Sequence, residues 1–286
     1  MQRSLVALFW SMVVLTLVAL AGLALDPQTI TGAPAFLKPL KFAVSVAIYA
    51  LSFGWLLRFI EGHDRLRRLL GDLTAGILAL ELVLIFLQAG RGVGSHFNVA
   101  TLFDAAVFQS MGVAIAVLSV CQVAAAVLLL RQRFQDPALA WSLRLGMAIT
   151  ALGGAVGWIM AVRLGHTVGA PDGGAGMPLT NWSTQHGDLR AAHFFGLHAL
   201  QLLPLVAWLA GRVRWLPQKR RAQLVIAAGL SYGALLLLLV AQALRGQPLS
   251  ALDGPARLAL GLWGCATLAL IGRTLFSAAP AALEAA

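Results

Sequence analysis

Eight stretches of this chain meet or approach the roughly 20 mostly apolar residues that a helix needs to cross a bilayer. Nothing else in the sequence constrains the fold so strongly. They run approximately over residues 4–25, 39–59, 73–89, 105–130, 140–162, 191–211, 222–244 and 256–276. The third is the shortest and carries Glu81 in its middle. Only 11% of residues are charged, against about 25% in a soluble domain. The windows therefore predict an all-α polytopic membrane protein with eight transmembrane helices, forming one integral membrane domain over 1–286. The first window follows only Arg3 and its 22 residues exceed the roughly 7–15 of a signal-peptide core, so it reads as an uncleaved first span.

The net charge of +10 raises nucleic acid as a partner, but the basic residues fall in short loops between windows, without a continuous stripe interleaved with stacking aromatics. Nucleic-acid binding is excluded on that pattern, and the partner is the lipid bilayer. With the N-terminus inside, 14 Lys and Arg lie on the inner side and 7 on the outer. This bias predicts cytoplasmic N- and C-termini. Cys121 and Cys265 both sit inside apolar windows and read as small hydrophobes.

A shift of 154 residues superposes Gln88, Ala89, Arg91 and Gly92 on Gln242, Ala243, Arg245 and Gly246, and Arg65 and Arg67 on Lys219 and Arg221. Two tandem four-helix halves, 1–135 and 136–286, follow from that offset, and pockets in such proteins often lie between the repeats. The longest loop, 164–190, is Gly-rich and exceeds the usual connection, so it is expected to act as a lid.

Polar residues inside the windows recur at helical spacing. Lys38, Lys41, Ser45, Tyr49 and Ser52 form one stripe; Arg190, His198 and Gln201 form a second, with His193 to one side; Glu81 and Gln88 share a face. Lipid cannot satisfy such groups, so they should face the bundle interior or a water-filled cavity. The GSHFN loop adds His96 and Asn98 near Arg91 and Asp104, and Asp188 is placed to cap the sixth window. Hydrogen-bonding glue between helices accounts for Ser, Tyr and Gln in such stripes; Glu81 and His198, which are ionisable and deep, point to a functional pocket opening outward.

The strings KPLKFAVSVAIY (38–49), RGVGSHFN (91–98), HTVGAPDGG (166–174) and GDLRAAHFFGLHALQLLP (187–204) resemble those of an uncharacterised family of bacterial multi-pass membrane proteins. The resemblance covers about residues 40–200 and implies a bacterial inner membrane, without an activity. The tandem four-helix plan is also similar to that of haem A synthase, although this sequence lacks that family's EYxHR-type motif and has no histidine on its fourth or eighth window.

Three chemistries suit these residues. Histidine could hold haem or a transition metal for redox work, with His96, His186 and His198 as ligands, because His193 and His198 diverge by about 140° around a helix. An outer vestibule carrying Lys38, Lys41, Arg91, Arg163 and Arg190 would attract an anionic small molecule, with Glu81 and His198 relaying a proton in a proton-coupled carrier. A membrane-embedded hydrolase is the third; HExxH, GxSxG and P-loop motifs are absent.

Overall fold

The computed structural model describes residues 2–276 and is 74% helical. In order it contains α1 (Arg3–Leu25), β1 (Thr29–Ile30), β2 (Ala33–Pro34), α2 (Leu37–Leu56), α3 (Asp64–Gly90), α4 (Leu102–Arg131), α5 (Pro137–Arg163), β3 (Thr167–Val168), β4 (Gly187–Asp188), α6 (Leu189–Leu197), α7 (Ala199–Arg212), α8 (Gln218–Leu244) and α9 (Gly254–Phe276). Among the described residues, seven helices are individually long and apolar enough to cross a membrane. The short helices α6 and α7 pass that test together but are bent by 45°. The chain is thus a multi-pass helical membrane protein. Both chain ends, Met1 and residues 277–286, lie outside the described residues, and with them the termini assigned to one side from sequence.

Helix boundaries extend beyond the apolar windows because hydropathy marks what sits in lipid and not what is helical. α3 begins nine residues before its window, at Asp64, where Arg67 pairs with Asp64 at 2.8 Å. Helix starts have local causes. Thr101 accepts the Asp104 backbone N–H at 3.1 Å, and Asp136 followed by Pro137 caps α5 through the Ala138 N–H at 2.9 Å.

In the first half, α1 and α2 form a hairpin, α3 packs on both, and α4 lies on α3. Their core contains Leu5, Leu8, Met12, Phe53, Leu56 and Leu82. In the second half, α5 is central, touching α6, α7 and α8, with α9 on the far side of α8. Its core includes Ile149, Met160, Leu203 and Leu236.

Glycine determines how closely α5 and α6 approach. A Cβ on Gly153 would stand 2.7 Å from the Gly196 carbonyl carbon, and one on Gly157 would stand 2.9 Å from His193 Cε1. Gly146, Gly153 and Gly157 fall on one face, and small residues at such spacing let helix backbones touch. The α6–α7 bend sits at His198. Pro204 cannot donate to the Leu200 carbonyl and its ring crowds it, which disrupts the following turn. Two carbonyls near the bend gain side-chain donors: Tyr232 Oη donates to Phe195 O at 2.6 Å and Thr150 Oγ1 to Leu197 O at 3.4 Å.

The C-termini of α3 and α8 close alike. Gly92 (φ +71°) and Gly246 (φ +74°) take left-handed conformations, with Gly92 N–H donating to Ala89 O, Val93 N–H to Gln88 O, Gly246 N–H to Ala243 O and Gln247 N–H to Gln242 O. The arginine of each closure, Arg91 or Arg245, pairs with an aspartate at the start of the next helix, Asp104 or Asp253.

Candidate functional site

The polar residues gather where α2 begins and α3 ends, under the α5–α6 loop. That loop is folded back on itself. β3 pairs antiparallel with β4, matching Thr167 with Asp188, and Gly176 bridges Ser183. Gly187 is buried so closely on α8 that a Cβ there would collide with the Ala243 carbonyl oxygen. Across the bundle, the same loop reaches the β1–β2 turn: Asn181 Nδ2 donates to Thr31 O at 3.4 Å, and Gly173 packs on Thr31.

Asp188 organises the base of the loop. It is 5% exposed, caps α6 through the Arg190 N–H (3.0 Å), accepts the Ser183 N–H (2.8 Å) and receives the Arg190 guanidinium at Oδ1 (Nε, 3.0 Å) and Oδ2 (Nη2, 2.6 Å). Burial works to raise the Asp188 carboxyl, but the Arg190 hydrogen bonds and charge, then the Ser183 N–H and His166, outweigh it and hold the group below the usual carboxylate range. Arg190 also donates to the Asn181 carbonyl. Beside this pair, Asp172 accepts the backbone N–H groups of His166 (3.2 Å) and Thr167 (2.8 Å), while His166 Nδ1 lies 3.2 Å from Asp172 and 3.6 Å from Asp188. Burial and then the Arg190 charge hold His166 below the ordinary imidazole range, against the pull of Asp172 and Asp188. His166, Asp172, Asn181, Ser183, His186 and Arg190 line a cleft of about 300 Å³ in this loop.

Two lysines stand at the start of α2, one of them bonded to this loop. Lys38 Nζ donates to His96 Nδ1 at 3.0 Å, and Lys41 Nζ to the Thr180 carbonyl at 2.9 Å. Burial, then Lys38 and His193, keep His96 neutral by driving its pKa well below normal. Phe97, at φ +60°, bears the strain of the turn that presents His96. Lys38 lies within electrostatic reach of Arg190, Glu81, Lys41 and Asp172. Neither lysine has a carboxylate at ion-pair distance among the described residues. Glu81 is 2% exposed, and its Oε1 has no hydrogen-bond partner. From α6, His193 Nδ1 sits 2.7 Å from Gly153 O, so it donates there and its Nε2 keeps a free lone pair.

Lys38, Lys41, Glu81, His96, Asp188, Arg190 and His193 therefore come together. Others singled out from sequence do not join them. Gln88, Arg91 and Asp104 form their own lock: Arg91 meets Asp104 at 2.5 Å, Gln88 Nε2 donates to Asp104 Oδ1 at 2.9 Å, and Thr101 Oγ1 to Oδ2 at 2.7 Å. Asn98 folds its loop, donating to Gly94 O and accepting from the Ala100 N–H. Tyr49 accepts from Gln122 Nε2 at 3.0 Å between α2 and α4 and stacks on Phe53. His198 makes no side-chain hydrogen bond or ion pair among the described residues, and Gln201, with its amide oriented to donate, reaches the His198 and Leu197 carbonyls. The expected metal set is corrected too. No group of three or more His, Cys, Asp and Glu among the described residues is arranged to hold an ion, so His96, His186 and His198 are not drawn together as ligands. His96 is committed to Lys38, His186 lies by Gly169, and His198 stands at the helix bend.

Sequence reasoning missed His166 and Asp172. Their signal was an Asp six residues after a His in a Gly-rich loop, which reads as plain turn chemistry until Asp172 is seen holding two backbone N–H groups. Comparison with protein-family models, curated proteins and solved structures found no match.

Proposed function

We propose that this chain is an eight-span bacterial inner-membrane protein that binds a small oxyanion, such as a carboxylate or phosphate ester, at its outward end. In this reading α6 and α7 make one broken span, both termini are cytoplasmic, and 164–190 is the lid. The observation that carries it is the state of the two lysines. Arg190 is neutralised by Asp188, whereas Lys38 faces a neutral imidazole and Lys41 a carbonyl. Partly buried ammonium groups with no carboxylate at ion-pair distance are costly in a low-dielectric setting, and an oxyanion between them would supply the close counter-charge. The cleft of about 300 Å³ in the overlying loop, which Arg190 lines and the lysines do not, is large enough to admit a small molecule toward them. The matching closures of α3 and α8 favour two tandem halves, 1–135 and 136–286, with the anion held between α2 and α3 of one and α6 of the other.

The test is calorimetry on detergent-purified protein with sulfate as the probe, supported by thermal unfolding. Saturable binding weakened at least about tenfold by Lys41→Gln is expected, since loss of one charge-assisted contact removes roughly 1.5–3 kcal/mol. Wild-type protein that shows no saturable sulfate binding would refute the proposal.

A second reading, histidine holding haem or a metal, keeps one point in its favour: His193 is oriented through Nδ1 with Nε2 free, as metal-binding imidazoles are. Protein made with haem and metals available should then show a Soret band or stoichiometric metal that disappears in His193→Ala. Colourless, metal-free protein eliminates this reading.

A further inference from the structure

We infer that Glu81 is a proton-binding site coupled to the anion, so that occupation of the lysine site is accompanied by uptake of one proton on the Glu81 carboxyl. The inference rests on the anion-site reading and adds to it a direction of coupling.

Its basis is the surroundings of Glu81. The residue lies nine positions before the end of α3, roughly 14 Å along the helix, and is almost wholly buried. One carboxyl oxygen, Oε1, has no donor, and an ionised carboxylate in that position lacks the hydrogen bonds that stabilise a buried charge. The charged group acting on it is Lys38 of α2. The other helices packed on α3 bring little: α1 carries no titratable side chain beyond Arg3 at its first residue, and α4 offers Asp104, locked by Arg91 and Gln88, with Cys121 and Arg131 farther along. Lys41, His96, Arg190 and His193, within electrostatic reach of Lys38 or of one another, complete the set.

Lys38 is therefore shared. With the site empty it is a positive charge that acts on Glu81 from beyond ion-pair distance. An oxyanion bound by Lys38 offsets that charge and adds a negative one to the same buried region. Both effects favour the neutral carboxyl, and a proton from solvent in the cleft adds to Glu81. No bond between heavy atoms forms or breaks; the complex gains one anion and one proton. Thr74, seven residues from Glu81 on the same face of α3, also has a buried hydroxyl without a partner, so the polar line of this helix continues past mid-length.

The experiment is sulfate titration of the full chain in detergent, at one pH near 7, in two buffers of different ionisation enthalpy. Sulfate does not titrate in this range, so any proton taken up belongs to the protein. Net uptake of a fraction of a proton, up to one, per sulfate is expected in wild type, with affinity falling by up to about tenfold per pH unit as pH rises through the window in which Glu81 loses its proton. Both effects should vanish in Glu81→Gln. Sulfate binding without proton uptake in wild type overturns the inference and leaves the anion site standing, whether or not any variant folds. Uptake that persists in Glu81→Gln assigns the proton elsewhere and also overturns it. Failure of sulfate to bind removes the anion site and the coupling together.

Discussion

At the scale of single residues, Asp188 and Arg190 show how one short segment serves two purposes. Asp188 starts α6 and neutralises Arg190 while nearly inaccessible to water. Arg190→Ala leaves that carboxylate buried and unpaired, a loss of about 3–5 kcal/mol. The expected outcome is a large drop in the detergent melting temperature, with Arg190→Lys only partly restoring it because a lysine cannot reproduce the two-pronged contact. His166 makes a second prediction, for pH. Above its ordinary value of 6.5 the imidazole is neutral whether the loop is folded or not, and the loop contacts contribute fully. Below 6.5 the unfolded imidazole takes a proton that the folded one resists, so loop stability falls with falling pH until the folded imidazole also protonates. Hydrogen-exchange protection factors across 164–190, taken relative to the intrinsic exchange rate at each pH, should fall between pH 6.5 and 5 in wild type and stay level in His166→Gln; level wild-type protection contradicts the assignment. Sequence spacing brought Lys38, Lys41 and Arg190 to notice, because stripes of charge in apolar helices are conspicuous. It set the ionisable Glu81 apart from Gln88 on the same face of α3 but could not supply their neighbours: Gln88 has Asp104 and Arg91, whereas Glu81 Oε1 has no hydrogen-bond partner.

At the scale of elements, the contact between α5 and α6 is the least tolerant of change. The atoms facing Gly153 are backbone atoms of Gly196, which cannot rotate aside. Gly153→Ala is predicted to force the helices apart at a cost of about 1–3 kcal/mol and, by moving Gly153 O away from His193, to disturb the site as well. Thermal unfolding and sulfate affinity should both suffer, whereas Gly154→Ala, which meets open space, should leave both near wild type. Equal effects from the two substitutions would dispose of the close-contact account. The glycine face was readable in LGMAITALGGAVG, but which helix it served was not. The break between α6 and α7 was hidden for a different reason: hydropathy sees 191–211 as one run, and the carbonyls at the bend are met by Tyr232 and Thr150 from other helices.

At the scale of the whole molecule, every predicted window lies on a helix or on the bent α6–α7 pair, since the length of an apolar run is set by membrane thickness and survives uncertainty about side chains. The assembly of the site was less accessible, because it joins segments 38–41, 81, 96, 166–172 and 188–193 through packing that no local pattern records. Sidedness is open to direct measurement. In a background with Cys121 and Cys265 replaced, Gln185→Cys on the exposed part of the long loop should react with an impermeant maleimide on intact cells, and Gln218→Cys at the start of α8 only after permeabilisation. The opposite pattern inverts the proposed orientation.

Among the described residues the α5–α6 loop is held at four places: to α8 through Gly187, to the α8–α9 connection through Thr184 and Ser250, to the β1–β2 turn through Gly173 and Asn181, and to Lys41 through Thr180. A flap with one hinge swings freely, but a strap fastened on both sides of an opening must let go of one side first. In the proposed reading, access to the lysines is then governed by the lifetime of those fastenings, and the small antiparallel turn at Thr31, seven residues before Lys38, becomes a place where the rate of access is decided.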